Sequence, residues 1–221
     1  TMPAAEMSDI IKAQLIIPEA DGTEKASDTI TYSVKKYCQH ILNNSDSYDA
    51  NTIAVIKKIL NYGSYSQQYF SYNMANLAND MLEDTEKTLT KQADLMKASS
   101  TFHANNVNGI KYFGKSLILR SKTDMRIYFE LTDSTKKISD YTFKCDGKVL
   151  KPVQNGSKYY VDIADITPAE YGKVFTVTVS GKNFVSSSVY DYCRSAVSSS
   201  TTDGKLKNLS VSMYELGTTV Q

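Results

Sequence analysis

A chain of 221 residues has room for one large or two small domains with a sizeable core. Its 25 basic and 24 acidic side chains nearly cancel, and no long basic run appears, so a nucleic-acid partner is not expected. Apolar runs end after about five residues where a bilayer crossing needs roughly 20, so no membrane insertion of this segment is expected either.

The first 34 residues read as β structure. Ile10–Pro18 and Asp28–Val34 are β-branched runs joined by a polar stretch that contains Asp21-Gly22. A helix begins at Ser33, since Val34, Tyr37, Cys38, Ile41 and Leu42 fall on one helical face and Ser33 stands where a capping hydroxyl belongs. After the turn-rich 43–51, a second helix is predicted from about Thr52 to Tyr69, with Ile53, Ile56, Ile59, Leu60 and Gly63 on its apolar face. Gly63 costs about 1 kcal/mol against alanine there, which predicts close approach of the partner helix. A third helical piece is expected at Met74–Leu82, and residues 83–106 read as a connection.

From Val107 to Val185 the period changes to two. Strands are predicted at Ser116–Arg120, Met125–Leu131, Tyr141–Cys145, Val149–Val153, Tyr159–Ile163 and Phe175–Val179. Asp146-Gly147 is a hairpin signal and 154–157 marks another turn. Short strands at this spacing point to an immunoglobulin-like antiparallel β-sandwich, and Asp162–Tyr171 resembles a corner closed by a tyrosine.

The chain also repeats itself. TYSVKKYCQHIL (31–42) returns as SSSVYDYCRSAV (186–197), displaced by 155 residues, so Val34, Tyr37 and Cys38 match Val189, Tyr192 and Cys193. Upstream, PAAEM (3–7) before a strand resembles PAEY (168–171) before a strand. Downstream, Ile53–Gln67 parallels Lys207–Gln221, with Gly63 answered by Gly217. The expected fold is therefore α+β and internally repeated: a partial first unit of two strands plus a helical hairpin (1–82), the connection (83–106), a β-sandwich (107–185) and a second helical hairpin (186–221).

Three strings carry a family resemblance: SVKKYC (33–38), ILNYGSYSQQYFSYN (59–73) and GIKYFGKSLILRS (109–121). With them the chain resembles a domain of unknown function repeated in large secreted and surface proteins of gut Firmicutes. Cys38 and Cys193 depart from that pattern, which has Ala there, and ELGTTVQ replaces the aromatic tail in the second copy. The resemblance implies an extracellular or cell-surface location and modularity, with neighbouring modules of the same chain as contacts.

Chemistry is sparse. Gly109–Ser116 matches GxxxxGK(S/T), the phosphate-cradling loop, but polar residues precede it and β-like residues follow, so it reads as a strand. Two histidines, His40 and His103, show no ligand spacing, and no GxSxG elbow occurs. Asp46, Asp49 and Asp203 lie in polar loops able to hold Ca²⁺, without the register or glycine of an EF-hand. An odd set of three cysteines makes no disulfide framework legible, and Cys38 and Cys193 read as small buried hydrophobes. No catalytic, cofactor or metal site is expected. The reading is a non-catalytic structural or adhesive module. The alternative is a carbohydrate- or host-protein-binding module that uses Tyr65, Tyr69 and Tyr72 as an aromatic platform.

Overall fold

The computed structural model describes residues 2–221. The chain is mixed α+β with antiparallel sheets, and it divides into two compact units, Ala4–Lys87 and Thr88–Gln221, with Met2 and Pro3 grouped with the latter. No helix among the described residues is long and apolar enough to cross a membrane.

The first unit opens with a 3₁₀ turn, Ala4–Glu6. A β-ribbon follows, built of β1 (Ile11–Ala13), β2 (Ile16–Pro18), β3 (Glu24–Ala26) and β4 (Ile30–Tyr32), with β1 pairing β4 and β2 pairing β3. The expected continuous strand Ile10–Pro18 is broken at Gln14 and Leu15, which bond instead to Ser27. Helix α1 (Val34–Asn43) starts one residue after β4, and Ser33 Oγ accepts the Lys36 amide at 3.0 Å. Such a cap is worth about 1 kcal/mol. Helix α2 (Ala50–Phe70) is capped by Asp49, whose carboxylate accepts both the amide and the hydroxyl of Thr52. Between the helices and the first turn lies a small core of Met7, Cys38, Ile41, Ile56, Leu60, Ala78 and Leu82.

Two expectations need correction here. Gly63 makes room for the Met7 thioether and not for a helix, since a Cβ there would overlap Met7 Sδ. Met74–Leu82 is a run of turns rather than a helix. Ser71 and Asn73 take left-handed backbone angles, and asparagines bond across the segment instead of along it: Asn79 Nδ2 donates to Asn61 Oδ1 at 2.8 Å. A short helix α3 (Asp84–Lys87) ends the unit.

The second unit begins with α4 (Gln92–Lys97) and β5 (His103–Ala104). Then come β6 (Ile110–Leu119), β7 (Thr123–Leu131), β8 (Phe143–Cys145), β9 (Lys148–Leu150), β10 (Val153–Asn155), β11 (Lys158–Ile166), β12 (Phe175–Val179) and β13 (Lys182–Ser187). They form a four-stranded sheet in the order β10-β11-β7-β6 and a five-stranded one in the order β5-β13-β12-β8-β9. The predicted strand Val149–Val153 is two strands that belong to different sheets, split around Lys151-Pro152. Alternation along β7 and β12 buries Met125, Ile127, Phe129, Phe175, Val177 and Val179. The sheets meet where Phe129 stacks on Phe143 at 4.7 Å and meets Phe184 edge-on at 6.1 Å. Tyr171, after the 3₁₀ turn Pro168–Glu170, is buried with its hydroxyl 2.9 Å from Thr123 Oγ1. Helices α5 (Val189–Ser198) and α6 (Gly204–Thr219) complete the unit.

A Cβ at Gly217 would stand 2.5 Å from the Tyr190 hydroxyl and 3.1 Å from the Pro168 carbonyl oxygen. A thioether swings aside, whereas a packed ring and a backbone carbonyl do not. Gly217→Ala should therefore destabilise its unit by about 1–3 kcal/mol, with Gly63→Ala costing less, as read from urea midpoints of the two variants.

Candidate functional site

The most chemically distinctive place in the second unit is set by one extra residue in a strand. Along β6, Tyr112 sits opposite Phe129 and Gly114 opposite the next residue, Tyr128, leaving Phe113 as a bulge. A bulge shifts the alternation by one. Lys115 thus falls opposite fully buried Ile127, on the face that packs inward, where strict alternation from Ile110 would have turned it outward. Its Nζ donates to Ser187 Oγ at 2.6 Å, linking the edge of the four-stranded sheet to the end of β13, and lies 4.4 Å from the Phe102 ring centre. Beside it opens a recess of about 370 Å³ lined by Phe102, Tyr112, Tyr192 and Leu206, with Ser195 and Thr202 as its polar groups.

Burial pushes the Lys115 ammonium down to about 8, against the opposing pull of Asp191 and Cys193. Asp191 is itself engaged. Its carboxylate accepts from Ser100 Oγ, from the amide and hydroxyl of Thr101, and from the amide and hydroxyl of Ser188. Burial alone would raise its pKa, but the bonds from Thr101 and Ser188 outweigh that and hold it below the usual carboxylate range. Position three of a helix also suits an anion. The arrangement is a partly buried cation in an aromatic-lined hollow, tied to a serine and facing a fully occupied carboxylate. Beside the ring, the ammonium has donor capacity beyond its bond to Ser187.

The residues named from sequence fall elsewhere. Tyr65 is half-buried and donates to the Lys87 carbonyl at 3.0 Å; Tyr72 donates to Asp9 Oδ2 at 2.6 Å. Tyr69 meets Phe70 edge-on at 4.9 Å. Two of the three hydroxyls are thus bonded within their own unit. Gly109–Ser116 runs into β6, so Lys115 stands on a strand and the phosphate-loop match is formal. Asp203, like Asp49, is a helix cap: it accepts the Lys205 amide. Among the described residues no group of three His, Cys, Asp or Glu is placed to hold a metal ion. All three cysteines are free and buried, as expected for Cys38 and Cys193, and burial pushes Cys38 and Cys145 up to about 11 and Cys193 to about 12.

Sequence reasoning missed the inward setting of Lys115 and the role of Asp191. The signal for the first was Phe113-Gly114 inside a strand, a pattern that marks bulges. The second carried no sequence signal beyond SxxD at a helix start. Comparisons with protein-family models, with curated proteins and with solved structures find no match to this chain.

Between pH 8 and 10.5 the unfolded chain holds a proton on Lys115 that the folded chain has released, so this group's contribution to stability rises with pH across that window. The stability difference between the native chain and Lys115→Met should therefore shift in favour of the native chain from pH 8 to 10.5, measured by urea unfolding at each pH. Thiols held this high are also shielded from reagents. At pH 8 Ellman's reagent should find none of the three until denaturant is added, and then all three.

Proposed function

We propose that the chain is a non-catalytic structural or adhesive module of a bacterial surface or secreted protein. Its architecture is one and a half copies of a unit that joins an immunoglobulin-like β-sandwich to a helical hairpin. The observation that supports the repeat on which this reading leans is a pair of matched hydrogen bonds. The Lys35 amide donates to the Met7 carbonyl at 2.8 Å, and the Tyr190 amide donates to the Tyr171 carbonyl at 3.1 Å. Each bond ties the second residue of a serine-capped helix to the residue that closes a 3₁₀ turn before a β-hairpin. Gly63 and Gly217 add a second match, each facing that same corner of its unit. The reading also accounts for the buried polar side chains, which serve as clamps: Asn61 on the Glu86 carbonyl, and Glu215 on the amides of Thr90 and Lys91.

The hollow beside Lys115 supports a second reading, a module that binds glycan or host protein there or at Tyr65, Tyr69 and Tyr72. One pair of measurements separates them. Brief proteolysis of intact producing cells should release fragments of this chain; its confinement to the cytosol would refute the surface reading. A glycan array and a mucin pull-down should give no saturable binding for a purely structural module. Binding reduced at least tenfold by Lys115→Met or Tyr192→Ala would establish the second reading.

A further inference from the structure

The ribbon from Ile10 to Tyr32 is exposed at every residue, although Ile11, Leu15, Ile16, Ile17, Ile30 and Tyr32 are large and apolar. A lone two-stranded ribbon is marginally stable, and apolar strands with open edges invite pairing. Its faces are unlike. Ile11 lies opposite Tyr32, Lys12 opposite Thr31, and Ala13 opposite Ile30. Directly opposed side chains share a face, so Ile11, Ala13, Ile30 and Tyr32 make an apolar side and Lys12 and Thr31 a polar one.

The hairpin of β12 and β13 has the same register. Phe175 lies opposite Ser187, Thr176 opposite Ser186, and Val177 opposite Val185. Both pairings begin four residues after the turn-closing residue, Met7 or Tyr171, and end one residue before the capping serine. The difference is cover. Phe175 is 5% and Val185 1% exposed, against 47% for Ile11 and 70% for Ile30. In the second unit, β8 flanks β12, β5 flanks β13, and the four-stranded sheet closes over them.

We propose that the ribbon is the closing hairpin of a further sandwich, its apolar side covered by strands equivalent to β5–β11 that reach it from the N-terminal side of the same polypeptide. The proposal rests on the repeat reading above. A second copy of this chain is a poor occupant, because its strands β5–β11 are already closed by their own β12 and β13. The C-terminal side of the ribbon is committed too, since β4 leads into α1 across Ser33 alone. The cover must therefore enter through the Ala4–Glu6 turn, as β11 enters β12 through Pro168–Glu170.

The test compares the chain as it stands with an extended chain that carries a copy of residues 88–167 fused ahead of Ala4. In the chain as it stands, amides of 11–13 and 30–32 should exchange with deuterium at least tenfold faster than those of 175–177 and 185–187. In the extended chain they should slow at least tenfold, and Ile30→Asp should abolish the slowing while the amides of α1 and α2 stay protected. Ribbon amides that stay fast in the extended chain, whether or not the added segment folds, overturn the proposal. So does sedimentation showing a dimer of the unextended chain that Ile30→Asp dissociates, which would make a second copy the occupant. A companion chimera, with Phe175–Ser187 replaced by Ile11–Tyr32, isolates the repeat reading. If it unfolds, that reading fails. If it folds while the ribbon of the extended chain stays open, only the docking proposal fails.

Discussion

A strand that becomes a helix across a single residue has no loop in which to absorb error. That is the constraint at Ser33 and again at Ser188, both extended, each followed at once by a helix. The first amides of a helix have no partner within it. Here the third helical amide goes to the serine hydroxyl and the second to a carbonyl at the far end of the hairpin, Met7 or Tyr171. Local and long-range bonds thus satisfy neighbouring donors, and hairpin and helix are held at both corners of one junction.

The second organising device is the buried polar side chain. In the first unit Lys35 reaches Asn76, the Leu77 carbonyl and Asp80, and Gln67 accepts from the Ala78 amide while donating to the Asn76 carbonyl. In the second, Asp191 and Glu215 gather amides and hydroxyls of residues 90–101. Each loses hydration and recovers it as several short bonds, so a satisfied network is tolerated where a single unmet group would not be. These contacts let irregular segments lie against helices that would otherwise leave an apolar face bare.

What was legible in the sequence follows from what is local. Helix faces, serine caps and the turn at Asp146-Gly147 depend on near neighbours, and they stand where periodicity put them. The run Met74–Leu82 has enough apolar residues to suggest a helix, yet its asparagines and the Lys35 ammonium take its polar groups for distant bonds. Gly63 announces a close approach without saying by what, and Met7 lies 56 positions away in the chain. Asn61, Asp191 and Glu215 carried no reading from sequence, because polarity on a helix looks the same whether water or a remote backbone answers it. The site around Lys115 was harder still: its direction depends on a count of residues in a strand pairing that no local pattern displays.

That count turns β6 into a parity device. Up to Tyr112 the even-numbered positions look inward; beyond Phe113 the odd ones do, bringing Lys115, Leu117 and Leu119 opposite Ile127, Met125 and Thr123. Loss or gain of one residue in this strand would exchange an ammonium for Gly114 or Ser116 within the interior without altering any side chain's identity. An insertion or deletion here, unlike a substitution, changes the interior chemistry in a single genetic step.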